Sequence, residues 1–547
     1  MEDQVVSDEK MKEMSIEQDE EDGSCLGETV FAAQDCPETY TEAMSSGDAE
    51  KWREAADAEY NSLMQNETWS LVDPPRDANV IKSKWVFRVE FLPNGDIQRY
   101  KARLVVKGCS QKSGVDYFDT YAPVSKLTSI RCLLALAAVH DLEIVQCDVT
   151  TAFLYGWLDE DIYMKQPEGY DDQSGKVCKL RKALYGLKQA PLQWNKRIVT
   201  VLKELGLRAL VADPCVFVRE TDGLYFALYV DDGLCMARTS EVIDEFLTSL
   251  QQTFKMTRGS ADCFIGIEIK RDREARSVKL HQAGYLKKVL ERFSMNDCNP
   301  ARTPSSTDVV LRRNLDEDGN PVASYRCPFR QLIGSLMYAA VATRAEVAHS
   351  VNQLSQFLDN PSEAHWRSAK RVLRYLKKTI DFGIVYGPCG DQDTLVAYSD
   401  SSWASEIDSR KSVTGLCLML NGGIVSWKSK KQSIVADSTA YAEYVAAHAC
   451  TREVVWVRRL LEGLRCKPAG PTVLYLDNAA AESLVTNPIH HERSKHFDIK
   501  FHYIREKYES REISVRHVSS EEQLADIFTK ALPVDKFEKL RRYINLL

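Results

Sequence analysis

LYFALYVDDGLCMA, residues 224–237, decides how the fold is read. Two apolar runs flank Asp231-Asp232-Gly233, the pattern of a β-hairpin with two carboxylates at its tip. A bare Asp-Asp-Gly is more often an ordinary solvated hairpin turn, so the weight falls on its surroundings. Upstream, EIVQCDVTTAFLYG (143–156) leads from Ile144-Val145 through Cys147 to Asp148, as a buried strand ending on a carboxylate. Anionic side chains beside hydrophobic strands are costly unless compensated, and a divalent metal compensates them. Two metals held by carboxylates can activate a 3′-hydroxyl and steady a leaving pyrophosphate.

A second set of carboxylates lies downstream. TLVAYSDSSWA puts Asp400 on an apolar strand, and VTGLCLMLNGGIVSWKSKKQ turns through Asn421-Gly422. STAYAEYVAAHACTREVVWVRRLLEGL presents Glu443 near a helix start, TVLYLDNAAAESL places Asp477 at a strand-to-helix junction, and EEQLADIFTKALP places Asp526 on the last helix. Taken singly, each is more often a cap or a surface residue. The joint pattern, from strand, helix, strand end and helix, reverses those odds.

The net charge of −8 looks wrong for a partner of nucleic acid until it is divided along the chain. Residues 1–50 carry sixteen Asp/Glu and two Lys, which leaves +6 for residues 51–547. Residues 1–46 read as an acidic disordered leader. A mildly basic body suits a phosphate-rich partner. The fifteen cysteines include no CxxC pair and no zinc-finger spacing, which predicts free thiols in a reducing compartment. No apolar run approaches the roughly 20 residues of a membrane span, and no signal segment is evident.

Several longer segments follow in order: KWVFRVEFLPNGDIQRYKARLVVKG, with a hairpin turn at Asn94-Gly95, then YFDTYAPVSKLTSIR, DVTTAFLYGWLDEDIYMKQPEGY, LRKALYGLKQAPLQW and YVDD. From about Trp52 to Pro533 the chain resembles the reverse transcriptases of copia-type LTR retrotransposons. The resemblance implies an α/β and α+β multidomain protein, a right-hand polymerase of fingers, palm and thumb followed by an RNase H-like α/β domain. The expected divisions are fingers and palm at 47–300, thumb and connection helices at 301–390, the RNase H-like domain at 391–533 and a helical tail at 534–547.

The resemblance also implies roles. Asp148 and Asp231 match metal ligands and Asp232 the third carboxylate. Phe153 matches the bulky gate that clashes with a ribose 2′-hydroxyl. Gln189 matches a residue contacting the incoming nucleotide. Lys101 and Arg103 resemble cations gripping the triphosphate, with solvated strand residues, or Arg99 in their place, as open alternatives. CFIGIEIKRD resembles the primer-supporting segment, with Ile265 for the commoner Leu reading as a harmless exchange. Gly233, where a β-branched residue is usual, is expected to loosen its turn.

Asp400, Glu443, Asp477 and Asp526 match the RNase H set, joined by the HERSKHFDIKFHYIRE segment. His517 matches a mobile histidine or else a structural strand-end one. The implied cofactor is Mg2+, two per site, with Mn2+ as an alternative. The implied partners are an RNA template, a DNA primer, an RNA:DNA hybrid and deoxynucleoside triphosphates. An intracellular setting is expected, in cytoplasmic virus-like particles with a nuclear phase.

In DNPSEAHWRSAKRVLRYLKKTI, Asn360 reads as the N-cap, and Arg367, Lys370, Arg371, Arg374, Lys377 and Lys378 as a face for a template-primer duplex or plain solvent. No protease triplet, integrase zinc cluster or nucleocapsid knuckle occurs, so the chain reads as the terminal portion of a polyprotein or a shortened frame. The rival reading is a catalytically silent or domesticated nucleic-acid-binding relic.

Overall fold

The computed structural model describes residues 36–91, 97–388, 394–486 and 498–547. The molecule mixes helix and sheet throughout, as the multidomain reading expects. At the N-terminal side, the helix Ala49–Gln65 buries Trp52, Ala56 and Leu63 against the hairpin Ser83–Phe91 and Ile97–Val106. The Asn94-Gly95 turn lies outside the described residues.

Order begins earlier than composition predicts. A helix at Tyr40–Ser45, capped by Thr39, falls inside the stretch read as leader. Ala43 is fully buried, and the Tyr40 ring packs 6.1 Å from Trp85. Local polarity gave no warning, because the anchoring surface comes from residues far along the chain.

The central sheet has six strands, all antiparallel, in the order Met256–Ser260, Glu143–Val149, Asp232–Ala237, Leu224–Tyr229, Val216–Arg219, Arg208–Ala209. The helices Ala190–Glu204 and Ser240–Gln251 bury Trp194, Ile198, Phe246 and Leu250 in one core cluster with strand residues Phe217 and Phe226. The helix Leu127–Val139 is buried nearly all round, because its other neighbours are the C-terminal parts of the chain.

The expected division near residue 390 is not a structural seam. The strand Gly383–Tyr386 pairs with Ser277–His281 and completes a sheet begun at Cys263–Phe264. The C-terminal tail is tied to the same strand: Gly383 N donates to Leu547 O at 2.9 Å, and Leu547 N donates back at 3.0 Å. One core cluster runs from the Leu127–Val139 helix into the C-terminal sheet.

Arg131 stitches this junction. Its Nε donates to Val425 O at 2.7 Å and its Nη1 to Val341 O at 2.9 Å, while the guanidinium lies 4.0 Å over the Trp427 ring. Burial pulls this guanidinium down to about 10.

The C-terminal sheet has the order Gly423–Lys431, Val413–Leu420, Leu395–Ser402, Thr472–Leu476, Ile513–His517. The first three strands are antiparallel and the last two run parallel to the third. Asn421 and Gly422 both have positive φ, the backbone a two-residue hairpin requires. The helix Thr439–Gly463 covers one face.

The helix expected to be capped by Asn360 starts later. Ser362 is the N-cap and forms a capping box with His365, whose Nδ1 accepts from Ser362 N at 2.9 Å. The Asn360 side chain is engaged with Asn314 and Ser324 instead. Much of the cationic face is also engaged internally: Arg374 Nε donates to Asn299 O at 2.5 Å, Lys377 Nζ to Cys298 O at 2.8 Å and Arg371 Nη2 to Thr303 Oγ1 at 3.0 Å.

Among the described residues no helix is long and apolar enough to cross a membrane, and each described cysteine is a free thiol.

Candidate active sites

The hairpin read from residues 224–237 is present, and it meets the strand carrying Asp148. Asp232 is the register partner of Asp148 on one side and of Tyr229 on the other. Asp231 sits in the two-residue turn, and its carbonyl accepts from Val149 N at 3.0 Å. All three acidic residues therefore gather at one end of the sheet. Gln146 Nε2 donates to Asp232 Oδ1 at 3.3 Å.

The turn holds β-branched Val230 at φ +58, a conformation such residues rarely adopt. Trp194, fully buried, donates from Nε1 to Val230 O at 2.6 Å and fixes the turn from below. Trp194 was not singled out from the sequence, although it closes the quoted LRKALYGLKQAPLQW segment. Strain over-determined by neighbours in this way is typical of functional turns.

Gly233 does not loosen the turn. It lies in the strand, and a Cβ there would come within 2.6 Å of both Cys147 Sγ and the Phe226 ring. Close packing requires the glycine. Ile265 is less harmless than an apolar exchange suggests, because it occupies φ +46 in the turn between Phe264 and Ile267. β-Branching is disfavoured there.

Phe153 follows Asp148 on a short 3-10 turn, Ala152–Tyr155, entered through Thr151 at φ +56. Its ring meets Tyr185 edge-on at 4.7 Å, and the Arg103 guanidinium lies 4.6 Å from the centroid of the same tyrosine. The two strands and the loop meet closely because Gly186 packs on the Val106 carbonyl, leaving no room for a Cβ. On the Ile97–Val106 strand, Ala102, Leu104 and Val106 face the core, which leaves Lys101 and Arg103 on the opposite face. Lys101 pairs in register with Arg88.

Gln189 departs from its expected role. Its side chain is fully buried; Oε1 accepts from Gln111 Nε2 at 3.0 Å, and Nε2 donates to Asp116 O at 2.7 Å and Glu160 Oε2 at 3.2 Å. Both ends of the amide are held by the protein, so it braces the loop around residues 111–116 rather than presenting itself to a ligand.

The second cluster is more enclosed. Oxygens of Asp400, Asp477 and Asp526 lie within 4.8 Å of one another, and among the described residues this is the one such carboxylate group. The Asp148, Asp231 and Asp232 oxygens are not drawn together to that degree. Asp400 lies on its strand and Glu443 near the start of its helix. Asp477 follows the Thr472–Leu476 strand, with Ser520 Oγ donating to its Oδ2 at 3.1 Å.

Asp526 sits on a 3-10 turn, Leu524–Phe528, rather than the last helix. Pro533 separates that turn from the helix Val534–Tyr543. His517 ends an exposed strand edge, in register with Leu476 just before Asp477. The HERSKHF stretch lies outside the described residues.

Burial raises the Asp400 carboxyl to about 7, and burial with the charges of Asp400 and Asp477 raises Glu443 to about 9. Lys530 Nζ stands 2.6 Å from Asp526 Oδ1 and 3.7 Å from Asp400 Oδ2, and Lys536 Nζ is 2.8 Å from Asp526 Oδ2. Thr529 Oγ1 donates to Asp400. Each Asp526 oxygen thus faces an ammonium, whereas buried Glu443 Oε2 has no hydrogen-bond partner. A buried cluster of carboxylate oxygens suits a hard divalent cation. The lysines were missed in the sequence, where the signal was a cation four residues after Asp526.

Residues 66–307 match the family model for reverse transcriptase (RNA-dependent DNA polymerase). The chain is 39% identical over 523 residues to a retrovirus-related Pol polyprotein from transposon TNT 1-94 of Nicotiana tabacum, covering 93% of this chain and 39% of that one. It is 37% identical to the corresponding polyprotein from transposon RE2 of Arabidopsis thaliana, over 95% of this chain and 35% of the relative.

The chain thus spans well under half the length of these polyproteins. It covers the whole of a transposon Ty5-1 protein of Saccharomyces cerevisiae at 33% identity over 313 residues. A foamy viral protease-reverse transcriptase in complex with double-stranded DNA aligns with a TM-score of 0.45 and 11% identity, over 88% of this chain and 70% of that chain. With a relative matched along its full length at 33% identity, this chain belongs to the copia-type retrotransposon Pol polyprotein family.

Proposed function

We propose that the chain is an RNA-directed DNA polymerase with a ribonuclease H, copying RNA into DNA and degrading the RNA of the resulting hybrid. The observation that carries the polymerase half is the convergence of Asp148, Asp231 and Asp232 at one sheet end, with the turn locked by Trp194. The carboxylates would hold Mg2+, which when bound supplies Lewis-acid stabilisation of the reacting phosphate oxygens.

The chain's own residues do the selecting. Arg103 and Lys101 offer cations to a triphosphate, Arg103 being oriented by the Tyr185 ring. Phe153, braced by the same ring, closes the space a 2′-hydroxyl would need. Gln189 acts at one remove, by holding the 111–116 loop.

The nuclease half rests on the buried Asp400, Asp477 and Asp526 cluster with Glu443 beside it. These residues would hold the same ion, and reading of 2′-hydroxyls across the hybrid's minor groove would restrict cleavage to RNA. The test is extension of a DNA primer on an RNA template with Mg2+ and deoxynucleoside triphosphates. Template-dependent extension supports the reading, and none from folded protein sinks the polymerase claim.

A further inference from the structure

We propose that Lys530 is a resident counter-cation of the nuclease cluster that a divalent metal must exchange for. The inference rests on the nuclease reading above and concerns how that site is kept assembled without metal. Asp526 is fully buried with an ammonium on each of its oxygens, and the two ammonium groups differ in kind.

Lys536, 17% exposed, comes from the Val534–Tyr543 helix, donates to Ser520 O at 2.7 Å and lies 4.0 Å from Glu521. It is anchored from several sides. Lys530, 41% exposed, bridges Asp526 and Asp400, two of the carboxylates that would hold a metal.

Carboxylates crowded this closely repel, and an ammonium between them lowers that cost. It also blocks the seat, since a cation and an ammonium cannot share the same lone pairs. Lys530 has somewhere to go. Its residue borders a cavity of about 180 Å³ between the Ala348–Ser355 and Glu363–Lys378 helices and the nuclease sheet, lined by Ser305, Ser350, Ser402 and Glu406, whose Oε1 accepts from Gln356 Nε2 at 3.0 Å. A flexible four-carbon stem can turn the ammonium toward Glu406 while the metal enters. Lys536 keeps its place and continues to hold Asp526.

The direct test is amine acetylation of the full chain, read by mass spectrometry at Lys530 and Lys536 with and without Mg2+. Exchange predicts that saturating Mg2+ raises labelling of Lys530 several-fold while Lys536 stays protected. A calorimetric titration of Mg2+ into chains carrying Asp148→Asn and Asp231→Asn then compares Lys530→Met with Lys536→Met. Removing the exchanged ammonium is expected to tighten Mg2+ binding about tenfold, with a smaller change for Lys536→Met.

Unchanged Lys530 labelling in a wild-type chain that cleaves hybrid overturns the exchange, and it does so without any variant having to fold. A wild-type chain that shows neither Mg2+ binding at this cluster nor hybrid cleavage instead fails the nuclease reading itself.

Discussion

Asp148 and Asp232 are register partners on adjacent antiparallel strands, so two of the three clustered carboxylates are placed by backbone pairing alone. Side-chain position is inherited from the sheet, and the Trp194 bond to Val230 O supplies the remaining restraint on the turn. Trp194→Phe keeps an aromatic ring but removes the donor and leaves part of the indole's buried space empty, so a cavity cost adds to the lost bond. A loss of about 1–3 kcal/mol is expected from the unpaired buried carbonyl, read as a lower urea midpoint, together with slower primer extension.

Gln189 separates a bracing role from a nucleotide-contact role. Gln189→Leu leaves Gln111 Nε2 and Asp116 O without their partner. Bracing predicts a stability loss of about 1–3 kcal/mol in denaturant unfolding, with KM for all four deoxynucleotides moving together. A change confined to nucleotide KM at unaltered stability would restore the contact role.

If Phe153 acts as the proposed sugar gate, Phe153→Val opens the space a 2′-hydroxyl would need. Incorporation of ribonucleotides relative to deoxynucleotides is expected to rise about 10–200-fold, measured by single-nucleotide extension. The deoxynucleotide rate falls less, because the Tyr185 ring and Arg103 remain in place.

The buried Asp400 and Glu443 carboxyls make stability depend on pH. Burial holds Asp400 near 7 and Glu443 near 9, whereas in the unfolded chain they titrate near 4. Between those limits the folded state binds more protons than the unfolded state, so stability falls as pH rises from about 4 to about 9. Melting temperatures in chelator should therefore decline over that window, and Asp400→Asn with Glu443→Gln should flatten the decline. A profile that rises with pH in the wild type and is unaffected by the substitutions would contradict it.

What the sequence disclosed and what it withheld divide by range. Asp148, Asp231 and Asp232 were legible because each ends or interrupts an apolar strand, a local pattern. The Asn421-Gly422 turn was legible for the same reason. The burial of Gln189 was not legible because its partners Gln111, Asp116 and Glu160 lie 29 to 78 residues away in sequence.

The Tyr40–Ser45 helix and the Ser362 cap were missed on similar grounds. One is anchored by Trp85, and the other wins because Asn360 is drawn to Asn314. Nor could periodicity reveal that the Gly383–Tyr386 strand completes a sheet begun a hundred residues earlier.

Two independent sites in one chain can be separated by two substitutions. Asp231→Asn and Asp526→Asn are assayed side by side for primer extension on RNA and for cleavage of a labelled RNA:DNA hybrid. The account predicts that Asp231→Asn lowers extension on the order of 10⁴-fold with cleavage retained, and that Asp526→Asn does the reverse. Loss of both activities in either folded variant, or of neither, would contradict it.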